Sequence, residues 1–144
     1  MRKTLLILAS FITLCSYSQN KAISYKPINF KECDRNNTYI KSEKEPEWKC
    51  DSIGLIEYMN QHVDDKEIKK IKKGKVIIAF IVNVDGKTCC TSFVNMTDYN
   101  LNAISFKDAV NSMPDWMPGT QNGINIKFQK VVVLYIEEGK FILK

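Results

Sequence analysis

Residues 113–123, Met-Pro-Asp-Trp-Met-Pro-Gly-Thr-Gln-Asn-Gly, constrain the fold more than any other stretch of the chain. They join a segment in which Phe106, Ala109, Val110 and Met113 recur at helical spacing to a β-rich run from Ile124 to Ile136. Pro114 and Pro118 lack backbone donors and stop a helix, while Gly119 and Gly123 allow the positive φ of a tight re-entry. Trp116, between the prolines, is expected to lay its ring on the core and keep its indole N–H near the surface. No chemistry is visible here: it is a structural junction built from Met113, Pro114, Trp116, Pro118, Gly119 and Gly123.

The run after the junction is long for a strand. Thirteen residues at about 3.3 Å each extend about 43 Å, against the usual ~17 to 20 Å. In a small sheet such a strand is expected to lie at an edge and project past its neighbour, leaving backbone groups unpaired. Upstream, residues 76–84 alternate so that Val76, Ile78, Phe80, Val82 and Val84 share one side, with Ile77, Ala79 and Ile81 apolar on the other, as in a central strand. Asp85-Gly86 signals a hairpin, and residues 88–96 return. Leu55, Ile56, Met59 and Val63 form the apolar stripe of a first helix, which Asp51 or Ser52 caps, and Asn102 caps the second. Asp64-Asp65 offers a further short helical start, ended by Gly74. Its lysines, Lys66, Lys69, Lys70, Lys72, Lys73 and Lys75, read as a solvated face ahead of an anionic membrane surface. Residues 141–143 fold back as a short last strand. The order predicts an α+β fold, a small antiparallel sheet with two main helices on one face.

Arg2 and Lys3 precede an apolar run ending in a small-residue pattern at Ser16-Tyr17-Ser18, so residues 1–18 read as a signal peptide. As a helix, residues 4–17 reach only about 21 Å, short of the roughly 30 Å hydrocarbon core. Soluble export therefore comes first, a lipoprotein at Cys15 second and a retained anchor third. Residues 19–49 read as an irregular tether and 50–144 as the domain. Removing the signal takes two of 21 basic residues and none of 16 acidic ones, so the net charge falls from +5 to +3, too mild for nucleic acid.

Four cysteines then remain, Cys33, Cys50, Cys89 and Cys90, and an even count in an exported domain predicts disulfide bonding. Cys33 with Cys50 is the expected pair, because a bond between the neighbours Cys89 and Cys90 is strained; its loop contributes about 3 kcal/mol. Cys89 and Cys90 point to opposite faces of their strand and are read as packed thiols. Zinc lacks its usual paired spacing, and the one histidine is His62. No metal, cofactor or small-molecule substrate is expected. An enzyme using Cys89 or Cys90 as nucleophile and His62 as base would need a cation beside the thiol, and the chain has no phosphate loop or serine elbow.

Gly74-Lys75-Val76, Phe80-Ile81-Val82, Asp85-Gly86-Lys87 and the block from Met113 to Gly119 with Gly123, in that order, resemble the C-terminal domain of TonB-family energy transducers over residues 50–136. The stretches at residues 27–33 and 50–63 resemble a variant with a Pro-x-x-x-x-x-Cys segment and a second cysteine before the first helix, which also implies pairing of Cys33 with Cys50. The resemblance implies a periplasmic domain, without enzymatic activity, that binds the TonB box of an outer-membrane receptor as a strand added to its last strand. That edge would comprise Asn125, Ile126, Lys127, Phe128, Gln129, Lys130, Val131, Val132, Val133, Leu134 and Tyr135. Where the family often carries a receptor-touching Tyr-Pro pair, this chain has His62-Val63-Asp64-Asp65-Lys66, and it shows no long proline-rich spacer. A membrane-anchored transducer with an uncleaved N-terminal helix and a self-associating envelope protein, a homodimer through the last strand, are the alternatives.

Overall fold

The computed structural model describes residues 25–50 and 53–144; the signal segment and the expected caps Asp51 and Ser52 lie outside the described residues. The elements follow in the order β1 (Ile28–Asn29), β2 (Thr38–Tyr39), α1 (Leu55–His62), a 3-10 turn (Ile68–Lys70), β3 (Lys73–Val82), β4 (Thr88–Asn95), α2 (Ala103–Asn111), β5 (Gly119–Gln121), β6 (Ile124–Glu137) and β7 (Lys140–Ile142). The fold is α+β.

β3 is central, between β4 and β6, as its two apolar sides require. Its ten residues pair antiparallel with β6 from Lys73↔Glu137 to Val82↔Phe128 without a break. Val76, Ile78, Phe80 and Val82 turn to one face and meet Tyr58 and Met59 of α1 and Phe106, Ala109 and Val110 of α2. Phe106 sits between Phe93 (4.5 Å) and Phe141 (5.9 Å). Asn102 caps α2 by accepting from Ile104 N at 3.1 Å. The stripe expected of the first helix packs as read: Met59 is buried, and Leu55, Ile56 and Val63 border the core. Gly54 holds the N-cap with no side-chain cap, and Gly74 lies inside β3 rather than ending a helix.

The sheet is not purely antiparallel, because β2 pairs parallel with β6. The presumed tether is part of it. β1 lies on the outer edge of β4 and β2 on the outer edge of β6, at opposite margins of the order β1-β4-β3-β6-β2. Four strand spacings separate them, about 19 Å. Residues 30–37 span that gap: Phe30 packs into the core beside α2 and Glu32 meets Lys107 of α2 at 3.2 Å, and from Cys33 on the segment crosses the face the helices leave open.

On its way this strap is pinned by a disulfide between Cys33 and Cys89, which replaces the expected pairing of Cys33 with Cys50. Register gives the reason. Phe80 and Cys90 pair with their side chains in the core, so Ile81 and its partner Cys89 face the strap. Excluding a bond between neighbours left Cys89 able to bond across the sheet. A break in register at Ala79/Phe80 also leaves Thr91 unpaired with β3, and its carbonyl accepts from Phe30 N (2.9 Å) and Arg35 Nη2 (2.8 Å).

The junction packs as a corner, with two differences from expectation. Trp116 is 3 % exposed, edge-on to Trp48 (5.4 Å) and Phe80 (5.4 Å), and its indole N–H is buried with no acceptor among the described residues rather than near the surface. Gly123 has φ 73° in the β5–β6 turn, whereas Gly119 is not in the left-handed region. Gly119 is small for space: a Cβ there would lie 3.0 Å from Lys44 O and 3.1 Å from Pro46 Cδ. Pro114 is exposed, Pro118 half-buried and Met113 buried. The β3–β4 hairpin is locked onto this corner through Gly86, which has φ 87°, accepts from Trp116 N at 2.9 Å and leaves no room for a Cβ beside the Trp116 carbonyl.

Candidate functional site

β6 is fourteen residues long, and its two margins differ. Even-numbered residues turn their backbone groups toward β3, as the bond from Glu138 N to Lys72 O (3.0 Å) shows at the end of the ladder. β5 lies on that same margin beyond the end of β3: Lys44 and Thr120 bond each other (3.2 and 2.9 Å), so Gly119 and Gln121 face Ile126 and Ile124. Odd-numbered residues turn theirs outward.

The outward margin is partly filled by the protein itself. At one end β2 pairs with Lys127 and Phe128; at the other β7 pairs with Tyr135, Ile136 and Glu137. Between them no strand borders residues 129–134 on the outward side among the described residues. The expected edge from Asn125 to Tyr135 is thereby narrowed. Asn125 and Ile126 pair with β5 on the β3 side, which leaves the outward side of Asn125 untouched, while Lys127 and Phe128 pair with β2 and Tyr135 with β7 on the outward side. Lys130, Val131, Val132, Val133 and Leu134 stay open outward, with the backbone groups of Val131 and Val133 pointing that way; at Gln129 only the carbonyl is open, since the parallel pairing of Tyr39 with Phe128 takes the Gln129 N–H. Strand length gave the edge; it said nothing of the two- and three-residue strands that fill its ends.

On the strap-bearing face the open stretch presents Val131 and Val133, 58 % and 40 % exposed. On the helix face Val132 and Leu134 border a small apolar cavity with Leu55 and Met59 of α1. Charges stand at the ends. Lys127 Nζ donates to Asp34 Oδ2 (2.6 Å) and to the Asp34 and Asn36 carbonyls (3.3 and 3.2 Å), anchoring the strap to β6. This ammonium, with the Asn36 N–H, holds the Asp34 carboxyl below the usual carboxylate range. Lys130 meets Glu45 at 3.1 Å, and Lys144 meets Glu137 at 2.7 Å, lowering the pKa of that carboxyl.

The outer edge of β7 is closed by a side chain. Asn60 of α1 accepts from Phe141 N (2.8 Å) and donates to Phe141 O (3.0 Å), occupying both backbone groups as a neighbouring strand would. No pattern in the sequence marked Asn60.

Cys90 and His62 are engaged separately. Cys90 is fully buried, and burial pushes its thiol up to about 12. His62 stacks on Tyr58 at 3.9 Å, with Nδ1 2.8 Å from Tyr58 O. Cys89 is consumed by the disulfide. Among the described residues no three His, Cys, Asp or Glu side chains gather as a metal site, and no helix is long and apolar enough to cross a membrane.

Comparison with protein-family models, with characterised proteins and with solved structures gives no match.

Proposed function

We propose that this chain is an exported periplasmic protein-interaction domain of the TonB C-terminal type, which binds an extended peptide by strand addition on β6 and serves TonB-dependent transport across the envelope. The observation that carries the reading is the open outward margin of residues 129–134, where the Gln129 carbonyl and both main-chain groups of Val131 and Val133 face solvent. Such groups bind a strand of nearly any sequence through the ladder, and neighbouring side chains select among them. The rigid ladder to β3 supports the margin from behind. A disulfide fits an oxidising compartment. The partner is a protein segment, by resemblance the N-terminal peptide of an outer-membrane receptor.

The test is a titration of the isotopically labelled chain with receptor N-terminal peptides, followed by amide shifts. Shifts confined to residues 129–134 and their flanks are expected. Silence there with every peptide, at concentrations saturating for a weak complex, removes the proposal.

A further inference from the structure

Resting on that reading, we infer that the site is a notch closed at both ends, which admits one free segment of about six residues, apolar and uncharged at its centre, and rejects the β6 strand of a second copy of this chain. β2 and β7 both stand one strand spacing, about 4.8 Å, outside β6. An added strand falls in line with them, in a gap of about six residues, about 20 Å long, whose β2 end is lined by Ile40 and Glu45 beside Gln129, Lys130 and Val131.

The same flanks decide between partners. In an antiparallel approach of two copies about Val131, β2 of one meets β7 of the other at both ends of the contact. The two β6 strands are then held three strand spacings apart, about 14 Å, where no ladder forms. Nor does β7 offer an edge of its own, because Asn60 occupies both backbone groups of Phe141. A segment without flanking strands meets no such obstacle.

Side-chain chemistry follows from the walls. Val131 and Val133 are exposed on one face, and Val132 lies beside Leu55 and Met59 on the other. The nearest ion pairs, Lys130 with Glu45 and Lys144 with Glu137, stand toward the ends. β-Branched apolar residues at the centre of the segment suit both walls.

The probes are capped peptides of alternating valine and threonine, four, six, eight and ten residues long, titrated into the full chain and read by amide shifts of residues 129–134. Binding should tighten about tenfold from four to six residues, as ladder bonds are added, and change less than about twofold beyond six. Tyr39→Pro removes a donor from the exposed strand β2 and opens the notch by two residues, so the plateau should move to eight. Sedimentation of the full chain should show no dimer that a charge at Val131 dissolves. Affinity that keeps climbing to ten residues in the unaltered chain, or a dimer abolished by Val131→Lys, overturns the notch while leaving strand addition intact. Failure of every length to move any rim amide overturns strand addition, and the notch with it.

Discussion

The two faces of the sheet are covered by different means. One is buried under α1 and α2 by contiguous apolar area, with Phe80, Phe93 and Phe106 fully buried. The other is crossed by a strap, residues 30–37, which starts from Phe30 in the core and the Glu32–Lys107 pair to α2 and is then held by point attachments: the Cys33–Cys89 bond, Arg35 on the Thr91 carbonyl, and Lys127 on Asp34. Area burial is spread over many side chains, and losing one disturbs the rest through packing. Point attachments fail singly. The strap is therefore the part of the fold that chemistry can loosen while the helix-bearing layer stays folded.

The hardest blow to this contrast is Phe106→Ala. It empties a site between Phe93 and Phe141 and should cost about 3–5 kcal/mol, read as a lower denaturant midpoint of the whole transition. A loss confined to α2, with the sheet unchanged, would mean that the helix face is not one cooperative unit. Next comes removal of the disulfide by Cys33→Ser with Cys89→Ser. The bond spans 56 residues of sequence, and the chain-entropy model gives about 4 kcal/mol for releasing such a loop. The expected outcome is a less stable chain in which amides of β3 and β6 stay protected while those of residues 30–37 exchange quickly. Equal loss of protection on both layers would erase the distinction.

The same contrast explains what the sequence revealed. The helix layer was legible because its residues repeat: Phe106, Ala109, Val110 and Met113 on a helix, alternate positions of residues 76–82 on a strand. The strap has no period. Its attachments join Asp34 to Lys127 and Cys33 to Cys89, pairs whose meeting depends on where a non-repeating segment crosses a sheet already formed. The depth of Trp116 was hidden for a similar reason, because Trp48, from the segment that follows the strap, packs against it. At the candidate site, the length of β6 showed in its run of apolar residues. The flanking pieces β2 and β7 are too short to carry a pattern, so their trimming of the margin to residues 129–134 was not legible.

A smaller effect separates the attachments from one another. Lys127→Met keeps most of the apolar stem, with the lysine side chain 19 % exposed in the native chain, and removes only the ammonium that meets Asp34 and two strap carbonyls. An exposed ion pair contributes about 0–1 kcal/mol, so global stability should barely change. Exchange at residues 34–37 should rise while that at Cys33 stays slow. A loss as large as that from removing the disulfide would show that the strap is held by charge more than by its covalent bond.

The smallest effect is a titration. The Asp34 carboxyl, hydrogen-bonded to Lys127 and to the Asn36 N–H, has its folded pKa lowered from 3.8. For a group whose folded pKa is depressed, the stabilisation is complete above the unfolded value and is lost as pH falls through the folded one. The strap should therefore keep its Asp34 anchor throughout the neutral and mildly acidic range and release it only below pH 3.8, the disulfide still holding Cys33 in place. Following the Asp34 carboxyl carbon by NMR should give a midpoint under that of an unstructured aspartate, and Lys127→Met should return most of the difference. A midpoint at the ordinary value in the unaltered chain would place Asp34 away from Lys127 in solution, leaving the strap to be held by the disulfide, Arg35, the buried Phe30 and the Glu32–Lys107 pair.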